Sequence, residues 1–186
     1  MKDTVTYFSS KGPTQTDETL RLAGARGKAL GITHILVPTT TGITAVKALQ
    51  ELREFQLVIV THMTGFRKPG ENELLPEHRT TLEQAGVPIL TTAHALSGID
   101  RGVRKAFDTV GFGAMIAGAL RMFGQGVKVA VEITLMAADA GLIPVEKSII
   151  ALGGTGHGVD AALVIKPAHT VNPFDLRVEE VICKPR

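Results

Sequence analysis

Hydrophobic and polar positions along the chain change their period repeatedly, and each change marks an element. Thr4–Phe8 is a short β-rich run, closed by the loop Ser9-Ser10-Lys11-Gly12-Pro13. A helix is predicted from about Thr16, with Asp17 and Glu18 favouring its positive amino end. Leu20, Ala23 and Leu30 mark its apolar side, and Gly31 closes it. His34–Pro38 reads as a second strand, then a helix from about Ile43 to Leu52. Leu57–Thr61 and Val87–Thr91 read as further strands, separated by a helix over Pro76–Ala85. Strands alternating with helices of this length predict parallel βαβ units.

The second half carries a small-residue apolar helix over Gly113–Phe123. Val127, Val129, Val131 and Ile133 alternate like a strand, whereas Val129, Ile133, Met136, Ala137 and Ala140 form a helical stripe running to Gly141. The longer pattern favours a helix. Lys147–Leu152 and Ala161–Lys166 read as strands joined by a connection too short for a parallel crossover, so this pair is expected to be antiparallel. Arg177–Cys183 adds one more strand. The fold class expected is three-layer α/β: a mixed, mainly parallel sheet, helices on both faces and an antiparallel edge, formed by residues 1–186 as one domain.

Composition narrows the function. The chain has 186 residues, 44% hydrophobic and 20% charged, enough for one substantial core. A formal charge of +2, with no Lys/Arg run or interleaved aromatic patch, argues against nucleic acid. No apolar run reaches membrane-spanning length, and the amino-terminal residues lack a signal-like apolar stretch. The single cysteine, Cys183, excludes an intrachain disulfide and fits the cytoplasm. No His/Cys spacing suggests a metal site.

Chemistry in such folds concentrates outside the carboxyl ends of the strands. Two loops there stand out. Four threonines occupy six positions over Thr39–Thr44 (Thr39, Thr40, Thr41 and Thr44, with Gly42 among them), directly before a helix. Hydroxyls, a glycine and a helix amino end together suit an anion, more than an ordinary capped turn requires. Gly153-Gly154-Thr155-Gly156-His157-Gly158 places four glycines in six residues, suiting either close approach to a ligand or a hairpin tip. It matches neither the Walker loop nor the dinucleotide fingerprint. The loop from His62 to Pro76 reads equally as a lid or a solvated connection. Glu132 and Asp139 lie two helical turns apart on one side, where a packing role outweighs paired acid/base work. Arg101, Arg104 and Lys105 form a small basic cluster that fits a plain surface face better than an anion site.

These residues carry a resemblance. The segment from His34 to Ala45 (HILVPTTTGITA) resembles the strand and loop of the pyruvate kinase C-terminal domain that hold an effector's phosphate. A closer similarity, to stand-alone proteins of that fold, runs through Tyr7-Phe8, Glu18-Thr19-Leu20, Thr64-Gly65-Phe66, Gly70-Glu71-Asn72, Leu96-Ser97-Gly98, Val131–Thr134, Met136–Asp139 and Lys166–His169. The resemblance implies the fold, makes 127–141 helical and implies flavin mononucleotide with its phosphate at Thr39–Thr44. It does not imply pyruvate kinase activity, which belongs to a catalytic barrel. The candidate cofactor contacts are Phe8, Ser9, Lys11, Thr39, Thr40, Thr41, Gly42, Thr44, Thr64, Gly65, Phe66, His94, Ser97, Gly98, Glu132, Gly153, Gly154 and His169. Two readings stay open: a flavin-dependent redox protein, or a regulatory protein binding a nucleotide or sugar phosphate without turnover. A small phosphate-bearing ligand is the expected partner in both, with a homo-oligomer compatible with either.

Overall fold

The computed structural model describes residues 4–186. The strands are β1 (Thr6–Phe8), β2 (His34–Thr39), β3 (Gln56–Thr61), β4 (Ile89–Leu90), β5 (Ile149–Gly153), β6 (Ala161–Lys166) and β7 (Arg177–Pro185). The helices are α1 (Thr16–Leu30), α2 (Ile43–Glu51), α3 (Pro76–Gln84), α4 (Gly98–Phe107), α5 (Phe112–Arg121) and α6 (Gln125–Asp139). One seven-stranded sheet has the order β1-β7-β6-β5-β2-β3-β4.

Period-two burial builds the layers. Ile35 and Val37 of β2, with Ile59, Ile150 and Leu152, face a core shared with Leu20, Ala23, Ala45, Ala48 and Leu82 from α1, α2 and α3. Leu36, Val58, Ile149, Ala151 and Leu163 face the other way, onto Ala130, Ile133 and Ala137 of α6. Strands covered on both faces read as near-continuous apolar runs, which is how β2, β3 and β5 appear in the sequence. The helix–strand ambiguity over Val127–Thr134 resolves as α6. Twelve of its fifteen residues are buried, so apolar side chains occur on nearly every side and mimic alternation. The buried Cys183 has its thiol pushed up to about 11 by burial, with Thr19 nearby.

Two details differ from expectation. The antiparallel strand lies inside the sheet rather than at its edge. β6 runs antiparallel to both β5 and β7, and β7 then carries β1 in parallel beyond it. The hairpin expectation is met, but the chain's last strand and first strand extend the sheet past it. The second difference is α4, which the sequence reading passed over. Its apolar positions Ile99, Val103 and Phe107 do recur every fourth residue, but none of them is buried, so the helix stands outside the packed cores.

The contact that fixes α6 on the sheet is a backbone approach between Gly126 and Gly153. A Cβ built on Gly153 would run into the Gly126 carbonyl. We predict that Gly153→Ala costs about 3 kcal/mol or more, because only backbone can move to make room. Gly118→Ala on the open side of α5, where a Cβ meets nothing, should instead gain up to ~1 kcal/mol from helix propensity. Urea unfolding of the two variants measures the contrast.

Candidate functional site

β2 pairs with β3 and with β5 in parallel, with Ile35 opposite Ile150. The loops after β2, β3 and β5 therefore open at one edge of the sheet. A cavity of about 590 Å3 lies there, walled by those loops, by the loop after β4 and by the amino-terminal half of α6.

On one side is the threonine loop. Thr39 is buried, and its hydroxyl accepts a hydrogen bond from the Gly42 amide at 3.0 Å. Gly42 has φ 102° and precedes the first turn of α2, a backbone geometry that a side chain disfavours. The Thr41 carbonyl is held by His78 Nδ1 at 2.8 Å and by the Leu75 amide at 3.1 Å. The loop is thus braced from α3, behind the cavity. Thr39, Thr40, Thr41, Ile43 and Thr44 line it. Among the described residues no hydrogen bond engages the hydroxyls of Thr40, Thr41 and Thr44.

The far side is aromatic and charged. The His62 and Phe66 rings stack with centroids 4.1 Å apart, and the Arg101 guanidinium lies 4.1 Å from the Phe66 centroid. His94 tilts against both rings. The loop after β3 is built rather than merely solvated: Asn72 donates to the His62 carbonyl at 2.9 Å, and Glu73 pairs with His62 and Arg67, each at 2.7 Å.

On the α6 wall, Lys128 and Glu132, four residues apart, form a buried ion pair. Glu132 Oε1 also accepts from the Leu96 amide at 3.0 Å and the Ser97 hydroxyl at 3.1 Å. Burial opposes ionisation of Glu132. Lys128 outweighs that by charge and hydrogen bonding, helped by His94 and the Leu96 amide, so the carboxyl stays below its ordinary range. Burial pushes His94 down to about 4, with the neighbouring His62, Lys128 and Arg101 adding to it and Glu132 pulling the other way. The imidazole is therefore neutral at physiological pH.

The cavity lining holds five permanent cations (Lys47, Arg67, Arg101, Arg121 and Lys128) against one carboxylate, Glu132. Lys47 pairs with Asp17 outside the cavity and Arg67 with Glu73. Arg101 and Arg121 contact Phe66 and Gln125 instead of acids. The chemistry of this lining suits an anion with a flat apolar part.

The structure gathers Thr39, Thr40, Thr41, Thr44, Phe66, His94, Ser97, Glu132 and Gly154 around the cavity. Gly42 and Gly98 sit beside it, at the starts of α2 and α4. Gly153 lies beneath α6 in the core, and Gly154 packs against the Gly158 carbonyl, so the glycine loop closes partly on itself. Phe8 is buried in the core, while Ser9 and Lys11 are exposed; Pro13 and Thr16 line the cavity in their place. Thr64 and Gly65 are outside the lining, in the turn before Phe66. His169 is at the opposite edge, because β6 runs backwards and its end leads away from the cavity. There His169 and Thr170 are held by Asp139, so Glu132 and Asp139 serve different ends of α6.

Sequence reading passed over Lys47, His62, Arg67, Arg121, Gln125, Lys128 and Met136, and took Arg101 for surface. The four-residue spacing of Lys128 to Glu132 and of Arg121 to Gln125 was the available signal. The fold and cavity define an α/β domain with a cationic cleft at the carboxyl edge of its sheet. The family model for the pyruvate kinase alpha/beta domain matches residues 17–165, and the chain belongs to that family.

A pH dependence follows from His94. Unfolded, the imidazole takes a proton below about 6.5, but the folded protein resists it down to about 4. The resulting stability is fully present above about pH 6.5 and is lost as pH falls towards 4. Urea midpoints measured between pH 7 and 4 should fall less steeply for His94→Asn than for the wild type. Lys128→Met should cost roughly 3–5 kcal/mol by leaving Glu132 buried alone, and Lys128→Met/Glu132→Leu should recover much of it.

Proposed function

We propose that the chain binds a phosphate-bearing small ligand, flavin mononucleotide, in the cavity at the carboxyl edge of the sheet. The observation that carries this reading is the pairing of two unlike surfaces in one cavity. Free threonine hydroxyls and the amino end of α2 lie on one side, and the His62–Phe66–Arg101 stack lies on the other. The first four amides of a helix have no partner within it and attract an anion. The hydroxyls of Thr40, Thr41 and Thr44 would complete a phosphate cradle there. The aromatic and guanidinium faces suit a flat ring system. A volume of about 590 Å3 falls within the range of cofactor pockets.

Flavin, when bound, supplies electron and hydride transfer, and the protein's task is to hold and orient it. Lys128, Arg101 and Arg121 would favour its negative charge. His94, neutral and 3.4 Å from the Ser97 hydroxyl, could hold or release a proton beside the ring. A second reading, a sugar phosphate bound for regulation, draws support from the five cations, more than one phosphate monoester requires.

Titration calorimetry tests both readings. Thr41→Val and Thr44→Val should each weaken flavin mononucleotide binding by about 1.5–3 kcal/mol. Riboflavin, lacking the phosphate, should bind at least about tenfold more weakly, or roughly 1.4 kcal/mol. Equal binding of the two flavins would remove the threonine loop from the site. Binding of fructose phosphates with no flavin affinity would establish the regulatory reading instead.

A further inference from the structure

We propose that the outer face of α4 and α5 is the interface through which two copies of this chain associate. On α4, Ile99, Val103 and Phe107 recur every fourth residue and so share one side of the helix. Ile99 is 83% exposed and Phe107 75%. α5 buries its inner side through Ala117, with Ile116 and Leu120 packed against Leu96 and Leu135. Its outer side carries Phe112, 83% exposed, and Met122, 86% exposed, with Met115 between them. The two helices meet where Asp100 Oδ2 accepts the Ala114 amide at 2.6 Å, so Ile99 and Phe112 flank one junction.

A ten-residue helix is marginal in water without a packed apolar side. α4 has the apolar side, yet Val103 is only half-buried and Ile99 and Phe107 are exposed. The occupant follows from area and composition. At the exposures found, the phenylalanines present on the order of 400 Å2, and Ile99, Met115 and Met122 bring the face to on the order of 800 Å2. That is the share one partner contributes to a standard-size interface. Phenylalanine and methionine at the centre, with Arg104 flanking the α4 stripe and Lys105 on the opposite side of the helix, match a homodimer core and its polar rim. Closed two-fold pairing uses the same patch on both copies and leaves none of it wet.

An anionic membrane fits less well. Arg101 is committed to Phe66 and Arg121 to Gln125, which leaves two basic side chains here, short of the four to eight that mark lipid-binding clusters. Pairing also bears on the cavity, since α4 starts directly after Ser97 and carries Arg101. A copy packed on α4 would order the helix that sets both side chains.

Sedimentation velocity of the full chain, over a wide concentration range, tests the proposal without any ligand. The wild type should sediment as a dimer of 19.7 kDa chains. Phe112→Asp and Met122→Asp should each weaken association at least about tenfold, as a buried charge in place of an apolar anchor predicts. Val171→Asp, at a site 81% exposed near the opposite sheet edge, should leave the dimer intact. Amide exchange gives the second reading: residues 98–107 should exchange at least about tenfold faster in Phe112→Asp, with α6 unchanged to show that the fold persists. The proposal is overturned by a wild type that stays monomeric at every concentration, including one that instead binds vesicles of anionic lipid. It is equally overturned by a dimer that survives both aspartate substitutions.

Discussion

The rest of the structure depends on how closely α6 lies against the end of β5. Gly126 and Gly153 meet backbone to backbone, and neither has room for a side chain. That approach brings the first half of α6 level with the ends of β2, β3 and β5. It is why Lys128 and Glu132 wall a cavity rather than point at solvent. The same helix continues to Asp139, which fastens the loop after β6 at the other edge. One packing contact therefore positions charge at one end of the sheet and a loop at the other.

The Lys128–Glu132 pair shows how a costly arrangement is made tolerable. Two buried charges lose far more solvation than a surface pair does, and the loss is offset only where other hydrogen bonds complete the shell. Here the Leu96 amide and Ser97 hydroxyl supply them. The pair thereby ties the segment after β4 to α6, across a stretch where β4 itself offers only two paired residues. Polarity inside the cavity and the position of its wall have a common origin in this network.

Much of this was legible in the sequence, for physical reasons that differ by element. β2 and β5 were readable because continuous apolar runs bounded by glycine or proline have few alternatives. The threonine loop was readable because hydroxyls crowd there beyond capping needs. The charged wall was not, since Lys128 and Glu132 sit within an apolar helix and nothing local says which way they face. α4 was passed over although Ile99, Val103 and Phe107 recur at helical spacing, because three large apolar positions among charged residues and two glycines make a weak run. His169 was misplaced for a topological reason: strand direction decides which edge a loop reaches, and β6 reverses it. Phe8, Ser9 and Lys11 did reach the correct edge at the end of β1, yet the next residues, Pro13 and Thr16, turn inward and take the lining.

Cys183 carries a practical consequence. Its thiol is fully enclosed in the core and held almost entirely in the unreactive protonated form. The chain is therefore silent towards maleimides and other thiol reagents while folded. A single cysteine introduced at any exposed position would become its sole reactive handle, without first removing the native one. Fluorophores or spin labels could then be attached one site at a time, and uptake of reagent by the unaltered chain would itself report unfolding.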